Sequence, residues 1–129
     1  MIMRQLYRLL ASDAELGALL GAAGADGKIY PNSAAADARP PYLVYRCAAG
    51  QAFIGPLREE TAVFEAVSEN YSLCGLALAR VDELLRAARE DSFPPGGRRI
   101  FCALPSGGSD CLDPRGLHVR GAAYRLKYI

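Results

Sequence analysis

Apolar and polar positions change rhythm once, sharply, within residues 61–91, and the rest of the chain is read around that change. Ala62, Phe64, Ala66 and Ser68 alternate with Val63, Glu65, Val67 and Glu69, the two-residue period of a strand. Val63 beside Phe64 breaks the alternation and predicts cover on both faces at that point. Asn70-Tyr71-Ser72 ends the strand, and Ser72 is a candidate N-cap. From Leu73 the period becomes helical. Stepping about 100° per residue, Leu73, Cys74, Ala77, Leu78, Val81, Leu84, Leu85 and Ala88 share one arc. Gly75, Ala79, Asp82, Glu83, Arg86, Arg89 and Glu90 share the other. A helix over 73–91 therefore lays an apolar face on a sheet and turns charge to water.

Residues 2–20 also read as helical, with Ile2, Leu6, Leu9 and Leu10 on one face. Ser12-Asp13-Ala14-Glu15 has the spacing of a capping box, so a new turn starts at Ser12 or Asp13 and ends at Gly21. Lys28-Ile29-Tyr30 is a short strand stopped by Pro31, followed by an exposed loop over 32–40. Pro41-Tyr42-Leu43-Val44-Tyr45-Arg46-Cys47 is a strand rich in aromatic and β-branched residues. Residues 48–57 contain Gly50, Gly55 and Pro56 and read as a long hairpin arm, returning through Arg58-Glu59-Glu60. Ser92-Phe93-Pro94-Pro95-Gly96-Gly97 is a break. A strand over 98–104 puts Ile100, Cys102 and Leu104 on one face, a Gly/Ser/Asp loop fills 105–116, and a last strand covers 117–129. No repeat or linker divides the chain. The expectation is a single α+β domain over 1–129: a small, mostly antiparallel sheet carrying the long helix and the N-terminal helical segment, with a protruding hairpin arm.

Composition changes this picture little, but it narrows function. A chain with 51% hydrophobic and 22% charged residues is globular. Its net charge of +1 gives no basic excess for sequence-specific nucleic acid or an anionic membrane. No signal peptide and no run of about 20 apolar residues is visible, which points to the cytoplasm at synthesis. Cys47, Cys74, Cys102 and Cys111 lack CxxC spacing and read as free thiols, the first three mostly buried.

Candidate chemistry is thin. His118 is the only histidine, so any Ser-His-Asp or Cys-His arrangement must use it, and at the start of a strand it reads as a surface residue. A metal site would need His118 with Cys111, Asp110 or Asp113, and the two aspartates read as turn formers. The glycine pairs at 96–97 and 107–108 match no phosphate-loop pattern. Glu59 and Glu60 fall on opposite faces of an extended chain, a poor geometry for a shared proton. No catalytic, cofactor or metal residues are assigned, and no enzyme is expected.

The order of segments carries a resemblance. An N-terminal helix precedes Gly27-Lys28-Ile29-Tyr30 and Pro41-Tyr42-Leu43-Val44-Tyr45; then come an arm, a strand into the long helix, and a final strand ending Tyr124-Arg125-Leu126-Lys127-Tyr128. Over nearly its whole length the chain resembles the tail completion, or tail terminator, proteins of long-tailed bacteriophages and prophages, which join head to tail. It departs from them in its irregular central strand and in the Gly/Pro-rich stretches at 92–97 and 105–116. The resemblance implies a structural protein assembled as a homohexameric ring at the head-proximal end of the tail. That ring ends the tail tube and meets the head. Its partners are further copies of itself, the tail tube protein and head–tail connector proteins, and no cofactor is implied. It forms in the host bacterial cytoplasm and stays in the virion. A connector adaptor on the portal side, or a small-molecule-binding α+β domain with a pocket between helix and sheet, are the competing expectations. The uncharged arm with Phe53, Ile54 and Leu57 is the expected contact surface, and Arg58, Glu59 and Glu60 are expected to supply orienting charge at its rim.

Overall fold

The computed structural model describes residues 2–21, 25–49, 57–88 and 100–128. Helices α1 (Met3–Ala11) and α2 (Ala14–Leu19) are followed by a 3-10 turn (Ala25–Lys28) and the strands β1 (Ile29–Pro31), β2 (Tyr42–Ala49) and β3 (Arg58–Ser68). Helix α3 (Tyr71–Ala88) leads on to β4 (Ile100–Leu112) and β5 (His118–Tyr128). The five strands form one sheet in the order β1-β2-β3-β5-β4. All pairs are antiparallel except β1–β2, which is parallel. This is an α+β fold.

The strand-to-helix switch is where the periodicity puts it. Ala62, Phe64, Ala66 and Ser68 are all buried. Residues Cys74, Ala77, Val81, Leu85 and Ala88 form the buried stripe of α3. They meet Leu43, Tyr45, Tyr124, Leu126 and Tyr128 from the sheet and Ile2, Leu6, Leu10, Leu16 and Leu20 from the N-terminal helices in one core. The cap of α3 differs from expectation by two residues. Asn70, not Ser72, receives the Leu73 N–H on its side-chain oxygen at 3.3 Å, so α3 starts at Tyr71. Of the two starts expected for α2, Asp13 is the cap, accepting the Leu16 N–H at 2.8 Å. Ser12 instead donates its hydroxyl to the Arg8 carbonyl at 2.7 Å, closing the end of α1. Gly21 follows α2 with φ +78, a conformation glycine adopts without strain.

Three expectations are corrected. The stretch read as a loop over 105–116 is strand as far as Leu112, because it pairs along the whole length of β5. Backbone pairing to a long partner overrides the poor strand propensity of Pro105, Gly107 and Gly108, and a register irregularity between Pro105 and Gly107 absorbs the misfit. A second irregularity between Ile100 and Cys102 shifts the alternation. Ile100 is therefore in the core while Leu104, expected on the same face, lies on the other and is 48% exposed. Finally, the 32–40 loop is not merely solvated. Ala34 and Ala38 pack with Tyr30 on Tyr42, Val44, Val67 and Leu117, covering one end of the sheet face opposite the helices. Residues 89–91, expected to continue the helix, and the side chain of Cys102 lie outside the described residues.

Candidate interface for subunits and partners

The stretch expected to form the arm joins β2 to β3, whose ladder still pairs Ala49 with Glu60. Its tip, with Phe53 and Ile54, lies outside the described residues. At its base Leu57 is half-buried, and the exposed Arg58 donates its guanidinium to the Leu57 carbonyl at 3.0 Å. Glu59 and Glu60 do fall on opposite faces of the extended chain. Both are largely withdrawn from water, at 8% and 7% exposure. On the face away from the helices, Arg125 donates twice to Glu59 Oε1, at 3.0 and 2.6 Å. On the helix side, Glu60 Oε1 accepts the Tyr128 hydroxyl at 2.6 Å. Glu60 Oε2 has no hydrogen-bond partner among the described residues. Burial, with the Glu60 charge as the lesser cause, pushes the Cys47 thiol up to about 12. The charges at the base of the arm are thus committed to the chain's own residues.

Among the described residues, the sheet face away from the helices is covered at one end only. Beyond the Ala34–Ala38 cover it presents Thr61, Val63 and Ala123, all half-buried, crossed by the ion pairs Arg46–Glu65 and Glu59–Arg125. Cross-strand pairs of opposite charge over small apolar residues make a flat, self-neutralised surface.

Two polar constellations sit on the helix side. Arg80 of α3 makes a two-pronged contact with Asp13, at 2.8 and 2.7 Å, and reaches Glu83 at 2.8 Å and Glu15 at 3.1 Å. Its hydrogen bond holds the Asp13 carboxyl below the usual carboxylate range, against the opposing effect of burial. The cleft of about 440 Å³ beside it is lined by Ala18, Leu19, Leu76 and Ala79 as well as by these charges. It runs between α2 and α3, not between helix and sheet, where the competing small-molecule-binding reading would put its pocket. At the start of α3, the Tyr71 hydroxyl donates to Asp110 at 2.6 Å, and that bond is the leading cause of its raised pKa. The Arg120 guanidinium lies 4.4 Å from the Tyr71 ring centre, and the His118 ring meets Tyr71 edge-on at 5.3 Å.

These geometries separate the residues a reaction would need. His118 pairs with Leu112 on the helix side of the sheet, whereas Cys111 pairs with Val119 and faces the other way. Cys74 Sγ lies 3.7 Å from the backbone carbonyl of His118, not from its ring. Asp113 is a turn residue as read, accepting the Arg115 and Leu117 N–H groups at 2.8 and 3.0 Å. Asp110 is not: it is the Tyr71 partner. Among the described residues no group of three His, Cys, Asp or Glu side chains converges as a metal site, and no helix is long and apolar enough to cross a membrane. Sequence reading missed the outer edge of β4, which pairs with no further strand among the described residues. Every residue from Leu104 to Leu112 is exposed, Leu112 to 62%. The signal was the match in length between 100–112 and the last strand, hidden under glycine and serine.

No family model matches the chain, and no curated protein does. Among solved structures, it is similar to a chain in the virion of a native gene transfer agent particle, at 15% identity and a TM-score of 0.67, with 95% of this chain and 90% of that chain covered. The two chains share a fold across nearly their whole lengths.

Proposed function

We propose that this chain is a structural protein of a phage-like particle, and that it acts as a tail completion protein. In this reading residues 1–129 form one tail-completion-like domain. Copies of it close a homohexameric ring at the head-proximal end of the tail, ending the tail tube and meeting the connector proteins of the head. The supporting observation is the likeness of fold to a chain of a gene transfer agent virion over 95% of this chain. The segment order that resembles tail terminators agrees with it independently. The reading gives the protein no catalytic role and no cofactor, and places it in the host cytoplasm during assembly and in the virion afterwards.

Ring formation asks for heterologous contacts, in which one patch of a subunit meets a different patch of the next. The arm is the proposed source of one patch. Phe53 and Ile54 contact the neighbouring subunit or the tail tube, with Leu57 and Arg58 at the base. Glu59 and Glu60 serve by holding that base to β5 through Arg125 and Tyr128. Light scattering on the purified protein tests the ring: a mass several-fold above the 13.8 kDa of one chain is expected. Replacing Phe53 and Ile54 together with serine should keep the circular dichroism spectrum and lose the assembly. A native protein of single-chain mass would reject the reading.

A further inference from the structure

We infer that the cleft between α2 and α3 of one subunit receives residues 50–56 of the next, with Phe53 and Ile54 as the side chains that fill it. The inference rests on the ring reading and names the second patch that a head-to-tail contact needs. Two large apolar side chains ask of that patch that it be concave, apolar and formed before they arrive.

The cleft meets those terms. Short side chains at Ala18 and Ala79 leave a hollow of about 440 Å³ between the helices, walled by Leu19 and Leu76. Leu76 is 57% exposed, on the arc of α3 opposite the buried stripe. It therefore belongs to the outer surface of the helical layer and takes no part in the chain's own core. The volume lies within the range of pockets that enclose small ligands, enough for an aromatic and an aliphatic side chain together.

Arg80 fixes the width. Its two bonds to Asp13, at 2.8 and 2.7 Å, tie α3 to the start of α2. The cleft stands open without an occupant, so the cost of ordering falls on the entering segment alone. The same bonds settle the charge. Arg80 already has carboxylate partners, so an apolar side chain seated beside it strips no guanidinium of its partner. Asp13, Glu15 and Glu83 set three carboxylates around this one guanidinium, and the rim is left acidic.

Residues 50–56 complement this site in charge and in length. Gly50-Gln51-Ala52-Phe53-Ile54-Gly55-Pro56 holds no ionised side chain, so none has to leave water on entry. The next charged residue is Arg58, exposed and positive, which matches an acidic rim around an apolar floor. Phe53 is four residues beyond Ala49, the last residue of β2 in the ladder, and so at most about 14 Å along the chain from it. The chain's own cleft opens on the outer side of the helical layer, and one helix is about 10–12 Å thick. Climbing past its own helices would consume nearly all of that length before the segment could turn down into the cleft. A neighbouring subunit asks for no such climb.

Two measurements decide the matter. Ala79→Trp sets an indole into the cleft from an exposed position of α3. It should keep the circular dichroism spectrum and lose the ring mass in light scattering. The second measurement reads the contact directly. Ala52→Cys with Ala79→Cys, in a Cys111→Ser background, is treated with a short bis-maleimide in the assembled protein. A ladder of covalent multimers on a denaturing gel, absent from either single cysteine variant, supports the docking. Cross-linking confined to single chains means that the segment seats in its own cleft, and overturns it. A ring mass retained by Ala79→Trp, or a ring mass without multimers, also overturns it and leaves the ring standing. If Ala79→Trp loses its fold, the cross-link alone decides. A single-chain mass for the native protein overturns both the docking and the ring.

Discussion

Asp13 carries two duties at once, and only one of them was visible from its neighbours in the chain. It caps α2 through the Leu16 N–H, and it receives both prongs of Arg80 from α3. Sequence spacing announced a cap at Ser12 or Asp13, because capping is local. It could not announce Arg80, whose partner lies 67 positions away. The same limit applies to Asp82. It belongs to the polar arc of α3, yet it accepts the Tyr124 hydroxyl at 2.9 Å and pairs with Arg86, so it is not a bare solvated residue. For Asp13, the folded carboxyl titrates below its unfolded value. Its contribution to stability is therefore present above about pH 4 and is lost as pH falls through the folded value. Arg80→Met should cost about 2 kcal/mol at neutral pH, the size expected for hydrogen bonds to a charged group. It should also flatten the loss of stability expected of the native protein as pH falls below about 4. Urea unfolding across that range measures both effects; an unchanged acid limb would count against the pairing.

Long helices advertise themselves and edge strands do not. The buried stripe of α3 repeats a 3.6-residue period for 18 residues, and each repeat adds evidence. Its position on the sheet was legible for that reason. Leu85 is fully buried on this stripe, whereas Glu83 points outward. Leu85→Ala should destabilise by about 2–5 kcal/mol, as removal of a core leucine side chain does. Glu83→Ala should stay within about 0.5 kcal/mol. Thermal unfolding of the two variants separates them, and equal losses would mean that the helix is rotated from the described face. By contrast β4 obeys no apolar alternation after Leu104. Its strand character comes from β5, a partner that local reading does not see. The parallel pairing of β1 escaped for the same reason: three residues hold no record of the direction of their neighbour.

At the scale of the molecule, the described residues leave a half-covered sheet face and the outer edge of β4 without a partner element. The sheet class and the strand-to-helix core were legible because they rest on burial, which the chain writes in its apolar positions. The stretch with Phe53 and Ile54 was read as an uncharged arm tip; it lies outside the described residues, and its contacts are a proposal. Assembly has a thermodynamic signature that needs no partner protein. If subunits hold one another folded, mass action raises the unfolding temperature with protein concentration. A rise of several degrees over a hundredfold concentration range is expected from scanning calorimetry. A midpoint independent of concentration would speak for an isolated fold.

The place of β5 also governs how the protein comes into being. It lies between β3 and β4, and its ladder joins residues as distant as Glu60 and Leu126. Synthesis delivers β1, β2, β3 and α3 first, but none of them can close the core until residues 118–128 are available. Distant pairing of this kind slows folding, because the loop between the partners must be closed before any contact rewards it. During that wait β3 offers an unpaired edge containing Val63, Phe64 and Val67. Glu59, Glu60 and Glu65 stand along the same strand, so two unfinished chains that met there would bring like charges together. The acids that later fasten the arm base to β5 would serve, in the newborn chain, as guards against joining the wrong partner.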